Sequence, residues 1–335
     1  MRGVPFHAKV ARLEYCLPER VESNEQLLQE NPDWKLEKIV QKTGITQRYL
    51  AAPEQTAADL CVEATEKLFA KAPVDRQEID ALLFCTQSPD FVLPTSACII
   101  QNRLGLPTKT AAFDFNLGCS GFVYGLALAG SMIEAGLSES VLLLCGDTYT
   151  KYIDPHDRTC RPIFSDAGTA TWIRRSERPL LGPFDLGTDG SGYGNLIVPN
   201  RGARAAKNSG SSDTALHMDG ASVFMFTMNA VPKNVRGLLA KAGMEPGQVD
   251  SFFFHQASRV VLDAIEQNLQ LPPEKVVREL EDVGNTVSST IPIALKRSAE
   301  GGRLQPGQRV LLCGFGVGYS WGSCLLEWSG EESRP

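Results

Sequence analysis

"VDSFFFHQAS", residues 249–258, repeats the pattern and several of the letters of "IDALLFCTQS", residues 79–88. Two further echoes follow in the same order. "QNLQLP" (267–272) answers "QNRLGLP" (101–107), and "RVLLCGFG" (309–316) answers "SVLLLCGD" (140–147). Gln101 stands as far ahead of Cys119 as Gln267 does ahead of Asn285. Three matches in one order point to a duplication, two α/β halves related by an approximate two-fold. Buried strand runs alternate with helical patterns, as in a layered α/β fold. Strands are read at 8–18, 79–88, 111–117, 140–147 and 168–175, and an amphipathic helix at 56–71. The predicted halves span 1–175 and 216–335, joined by a connecting segment, 176–215. Within the connector, 188–213 is rich in Gly, Ser, Asn and basic residues and reads as a mobile loop, a candidate lid.

Composition narrows the function classes. The 335 residues carry 33 Lys and Arg against 39 Asp and Glu, a net charge of −6. That balance, with no basic run, offers no footprint for nucleic acid. No apolar stretch approaches the length of a membrane span. The opening "MRGVPFHAKV" lacks the apolar core of a secretory signal. Nine cysteines without a C-x-x-C pair fit a reduced, cytoplasmic protein with free thiols. The four histidines have no ligand spacing, so no metal site is expected.

Both halves carry chemistry-bearing residues. In "DFNLGCSGFVYGLALAG" (114–130), Cys119 joins an extended run to a helix apolar nearly all round. Such a helix is buried. Its three interior glycines, Gly121, Gly125 and Gly130, suggest that another element presses close. A cysteine at the amino end of a buried helix has its thiolate favoured by the dipole, which would make it a nucleophile near neutral pH. His255 ends the strand run "FFF", where catalytic groups of such sheets often sit. By the duplication, Asn285 in "VGNTVSSTIPIAL" faces Cys119 across the pseudo-axis. Singly, each residue has an ordinary reading: core thiol, structural histidine, turn asparagine. Their joint order is specific.

Taken together, "NLGCSGFVYGL", "FFHQAS", "VGNTVSSTIPIAL" and "LLCGFGVGYSWGS" resemble the thiolase superfamily, and within it the ketoacyl-acyl-carrier-protein synthase III group. The resemblance runs from "LPERVESNEQLL" to "YSWGSCLLEW" and implies a duplicated thiolase-like fold. It implies that Cys119 is acylated by a thioester and that His255 and Asn285 are its partners. A malonyl-type extender would then lose carbon dioxide, and its enolate would attack the acyl group in a Claisen condensation. Backbone N–H groups of Cys119 and Val317 would form the second oxyanion hole. Cys313, a near-miss for a second catalytic cysteine, reads as structural because its strand position turns it to the other face.

The resemblance also assigns substrate contacts to Arg158, Phe164 and Phe315, and it marks departures. Lys38 stands where acetyl-specific members carry a tryptophan that stacks on adenine. Ala221 and Ser258 replace two pantetheine-side asparagines. These changes weigh against coenzyme A and toward an acyl carrier protein as donor carrier, with Arg259, Lys233 and Arg236 as a candidate docking patch. No cofactor beyond the thioester substrates, acyl-coenzyme A or acyl carrier protein, is expected. The loop "SPDFVLPTSACIIQ" (88–101) would reach across a homodimer, where Leu93, smaller than the usual phenylalanine, would leave room for a longer or branched acyl chain. Two other readings compete: an acyltransferase passing its acyl group to an alcohol or amine without decarboxylation, and a degenerate binding scaffold. Retention of Asn285 favours condensation.

Overall fold

A computed structural model describes residues 4–199, 202–203 and 214–332. The first half runs through β1 (Ala8–Cys16), β2 (Arg20–Ser23), α1 (Asn24–Glu30), α2 (Leu36–Thr43), β3 (Gln47–Leu50), α3 (Ala57–Lys71), β4 (Ala81–Cys85), α4 (Ser96–Arg103), β5 (Ala111–Phe115), α5 (Gly121–Glu134), β6 (Ser140–Asp147) and β7 (Ala167–Arg175). The chain continues with β8 (Leu181–Thr188), β9 (Leu196–Ile197), β10 (His217–Met218), α6 (Gly220–Ala242), β11 (Ser251–Phe254), α7 (Arg259–Leu269), α8 (Thr290–Glu300), β12 (Arg309–Gly316) and β13 (Ser320–Glu327).

Two sheets carry the duplication. The first has the order β1-β7-β6-β4-β5, the second β8-β13-β12-β11. Parallel β4–β6 is matched by parallel β11–β12, and antiparallel β6–β7 by antiparallel β12–β13. Where β5 extends the first sheet, a single parallel bridge from Phe252 to Val276 stands in the second. The connector needs a correction. Residues 181–188, read as part of a linker, form β8, the edge strand of the second sheet, paired antiparallel to β13. The Gly182-Pro183 pair interrupts the alternation that marks a strand, and an edge position tolerates it. From 188–213, the described part is a short 3-10 turn at 190–195 and β9, which pairs with β10. Most of the expected lid lies outside the described residues.

Side-chain alternation builds the layers. Leu83, Cys85, Val141, Leu143 and Cys145 point to a central layer with α5 and α8, shared with Phe253, Val310 and Leu312 of the second sheet. Leu82, Phe84, Leu142 and Leu144 point outward to α3 and α4. Phe252, Phe254, Leu311 and Cys313 point the other way, to α6 and α7. The result is α-β-α-β-α, with α5 buried as its all-round apolarity requires. A methyl on Gly121 would come within 2.1 Å of Cys85 Sγ, so this position has no room for a side chain. Cys119 leads into α5 and Asn285 leads into α8, which are equivalent places in the two halves.

Candidate active site

Cys119, His255 and Asn285 are all buried, and all three line one cavity of about 790 Å³ between the halves. Each is held by backbone. His255 follows β11, and its N–H donates to Cys313 O at 2.9 Å, carrying the ladder one residue past the strand. Its ring packs edge-on against Phe315, with centroids 5.5 Å apart. Asn285 is gripped by the first half. Its N–H donates to Ile163 O at 3.0 Å, and its carbonyl accepts Ser165 N–H at 2.9 Å. Its side-chain Nδ2 lies 3.4 Å from His255 Nε2 and from Ala257 O, while its Oδ1 accepts the Val287 N–H at 2.9 Å. That bond fixes which end of the amide faces the histidine.

The backbone N–H groups of Cys119 and Val317 lie close enough to the Cys119 sulfur to favour its thiolate. Gly316 permits this approach, since a side chain there would lie 2.9 Å from Cys119 Sγ. The thiol itself corrects an expectation. α5 begins at Gly121 with Ser120 as its cap, so Cys119 sits two residues ahead of the helix. Burial, and then the charge of Asp147, push its pKa up to about 12, against the pull of the two amides. At rest Cys119 is a thiol, and desolvation outweighs the dipole. Burial likewise drives the His255 pKa down to about 3, leaving a neutral imidazole. Its Nδ1 is 2.7 Å from the hydroxyl of Thr290, which also reaches Val287 O at 3.2 Å.

Of the other residues read from sequence, Lys38, Arg158, Phe164, Ser258 and Phe315 line the cavity. Ala221 does not. It is exposed on the first turn of α6, while its neighbours Gly220 and Val223 line the cavity. Leu93 is 80% exposed and does not line this cavity. Of the three docking residues, Lys233 and Arg236 stand one turn apart on α6 and Arg259 opens α7. Arg236 bonds the carbonyl of Asn268, Lys233 borders a separate cleft with Asp185 and Trp321, and the Arg259 side chain lies over Gly44 at the end of α2. Cys313 lines no part of the cavity and faces α6, with Sγ 3.9 Å from Asn234 Oδ1.

Sequence reasoning missed two features. Trp34 lines the cavity mouth, four residues before Lys38, in a loop latched to 154–158. Asn31 Oδ1 meets His156 Nδ1 at 2.9 Å, and Asp33 pairs with Arg158. Lys35 and Lys42 join Lys38 there. Only the fold brings these two loops together, although the lysine spacing along α2 was visible. Thr290 was the second. Its signal was a polar "SST" opening a helix that must be buried.

The two family profiles that match are the 3-oxoacyl-[acyl-carrier-protein (ACP)] synthase III profile, over residues 113–190, and that family's C-terminal profile, over 239–328. Among solved structures, a 3-oxoacyl-(acyl-carrier-protein) synthase III is 46% identical, with 96% of this chain and 100% of that chain covered and a TM-score of 0.91. The synthase III of Pseudomonas aeruginosa is 36% identical over 98% of this chain and 100% of its own, with a TM-score of 0.89. A priming β-ketosynthase from a polyketide biosynthetic pathway is 30% identical over 97% of each chain, with a TM-score of 0.91.

Proposed function

The chain belongs to the 3-oxoacyl-[acyl-carrier-protein] synthase III family and is a condensing acyltransferase of that type, and on that footing we propose how its residues divide the reaction. Cys119 attacks the acyl thioester. Its proton leaves as the sulfur bonds to carbon, because a thiol held near 12 is not ionised in advance. Neutral His255 takes that proton on Nε2 and returns it to the departing thiol. The amides of Cys119 and Val317 hold the tetrahedral oxygen. The extender then loses carbon dioxide, and its thioester oxygen, now enolate-like, accepts hydrogen bonds from His255 Nε2–H and the Asn285 amide. The enolate carbon attacks acyl-Cys119, and the sulfur leaves and regains a proton. The two half-reactions call for the two tautomers of His255 in turn. Thr290 Oγ, which can donate or accept, holds the ring in one orientation for both.

The observation that carries this reading is the convergence of three buried polar side chains on one cavity with two backbone amides close to the sulfur. Intact-protein mass after incubation with a panel of acyl donors tests it. One acyl adduct, lost in Cys119→Ala, is expected; an adduct that persists in that variant refutes it.

Substrates reach the cysteine by the mouth that Trp34, Lys35, Lys38, Lys42 and Arg158 line. Trp34 supplies an aromatic face one turn before Lys38, so the argument against coenzyme A from Lys38 loses its force. An acidic acyl carrier protein suits the lysines of α2 at the mouth, together with Lys233 and Arg236, which stand one turn apart on α6. The functional unit is a homodimer. β5 ends its sheet with Phe113 exposed, and the loop tip carries Phe91, Val92 and Leu93 into solvent, Val92 at 92% exposure. Nine free cysteines, eight of them buried, suit a reducing cytoplasm. Among the described residues no helix is long and apolar enough to cross a membrane.

A further inference from the structure

Behind the three cavity side chains lies a carboxylate that none of these steps uses. Asp147 ends β6 and is fully buried. One of its oxygens accepts the Gln87 N–H at 2.8 Å. The other accepts the Ser288 hydroxyl at 2.5 Å and, more weakly, the Ser288 N–H at 3.4 Å. Ser288 belongs to the second half, in the turn between Asn285 and α8. The carboxylate therefore ties the two halves together at the turn that presents the Asn285 amide.

That turn is contorted. Val287 has φ of +56°, a region that β-branched residues seldom enter. In the same turn the Val287 N–H points back onto Asn285 Oδ1, which leaves the NH2 end of the amide toward His255, and the positive φ of Val287 then sends the chain on to Ser288. The chain beyond Val287 is pinned by Ser288 to Asp147, by Ser289 Oγ to Cys145 O at 2.9 Å, and by the Thr290 hydroxyl to Val287 O. Of these acceptors Asp147 alone is an anion, and a buried charge-assisted bond is the strongest of the set.

We propose that Asp147 is a positioning residue for the condensation half-reaction: through Ser288 it holds Val287 in its left-handed conformation and so keeps the Asn285 amide turned toward the extender. The proposal rests on the reading that Asn285 serves the enolate. Acylation, which uses the amides of Cys119 and Val317, does not depend on the link.

The surroundings make the carboxylate costly. Its titratable neighbours are Cys61, Cys85, Cys119, Cys145, Tyr149 and Asp166, none of them a cation. Burial lifts Asp147 to about 7, and its charge in turn works against the Cys119 thiolate. A residue that opposes ionisation of the nucleophile is explained if the bond to Ser288 serves the other half of the reaction.

The test compares Asp147→Asn, Ser288→Ala and Asn285→Ala with wild type. It measures acyl-enzyme by intact mass and carbon dioxide release from a carboxyl-labelled malonyl thioester. In Asp147→Asn and Ser288→Ala, acyl-enzyme should form no more slowly than in wild type while carbon dioxide release falls about tenfold, short of the hundredfold or more for loss of the donor itself. Combining Asp147→Asn with Asn285→Ala should add little to Asn285→Ala alone. Alkylation of Cys119 at pH 8 should become about three- to tenfold faster in Asp147→Asn, because a like charge is gone, and should stay near wild type in Ser288→Ala, which breaks the same link but keeps the charge; an equal gain in both variants would mean loosened packing around the thiol. If Asp147→Asn does not fold, Ser288→Ala decides the matter. Wild-type condensation in both variants, with Asn285→Ala slow, overturns the proposal alone. Equal loss of acylation and condensation also overturns it. An unimpaired Asn285→Ala overturns the reading of Asn285 and the proposal with it.

Discussion

Cys119 shows why a nucleophile must be read in its full surroundings. The step ahead of a buried helix suggested a stabilised thiolate, but burial and the Asp147 charge raise the thiol to about 12. The rate of its alkylation should therefore climb about tenfold per pH unit through pH 7 to 9 without levelling. A plateau below pH 8 would mean that the thiolate pre-exists. His255 yields a second expectation. Held neutral to about 3 when folded, it gains a proton near 6.5 only on unfolding. In the window between those values the unfolded chain binds more protons, so stability falls as pH falls. From pH 7 to 5 this amounts to about 2 kcal/mol. The opposing contribution of Asp147 is common to wild type and His255→Gln, so their difference isolates the histidine. Urea denaturation at both pH values should show the variant losing about 2 kcal/mol less, and identical losses would contradict the buried neutral ring.

At the scale of elements, what was legible depended on burial. β4, β6, β11 and β12 are apolar runs because layers cover both faces, and an apolar run is visible in letters. So was α5, apolar all round, and so were Cys119, His255 and Asn285, which the repeat set in register. β8 was hidden because an edge strand tolerates Gly182 and Pro183. Trp34 was hidden because its place at the mouth depends on contact between loops more than a hundred residues apart. Asp147 was hidden because its partner, Ser288, lies in the other half. α2 makes the mouth basic on one side, with Lys38 and Lys42 facing the cavity. Lys38→Glu with Lys42→Glu should raise KM for a carrier-protein substrate about tenfold or more at low salt, and less as salt is added. A KM that does not move would take α2 out of carrier recognition.

The whole molecule is two sheets around a central pair of helices, with the cavity where the halves meet. The exposed apolar tip at Phe91, Val92 and Leu93 is the observation behind the proposed homodimer. Light scattering should give a dimer, and a stable, active monomer would contradict it. Within the dimer, Leu93→Phe should shift preference toward shorter acyl chains, whereas an unchanged profile would remove Leu93 from the pocket. The division of labour between backbone and side chains is testable in one assay. Carbon dioxide from carboxyl-labelled malonyl thioester, followed beside intact-protein mass, separates the half-reactions. Wild type should acylate and release carbon dioxide, and Asn285→Ala should acylate normally but release it a hundredfold or more slowly. Acyl transfer without carbon dioxide in wild type, matched by Asn285→Ala, would contradict decarboxylative condensation at this site.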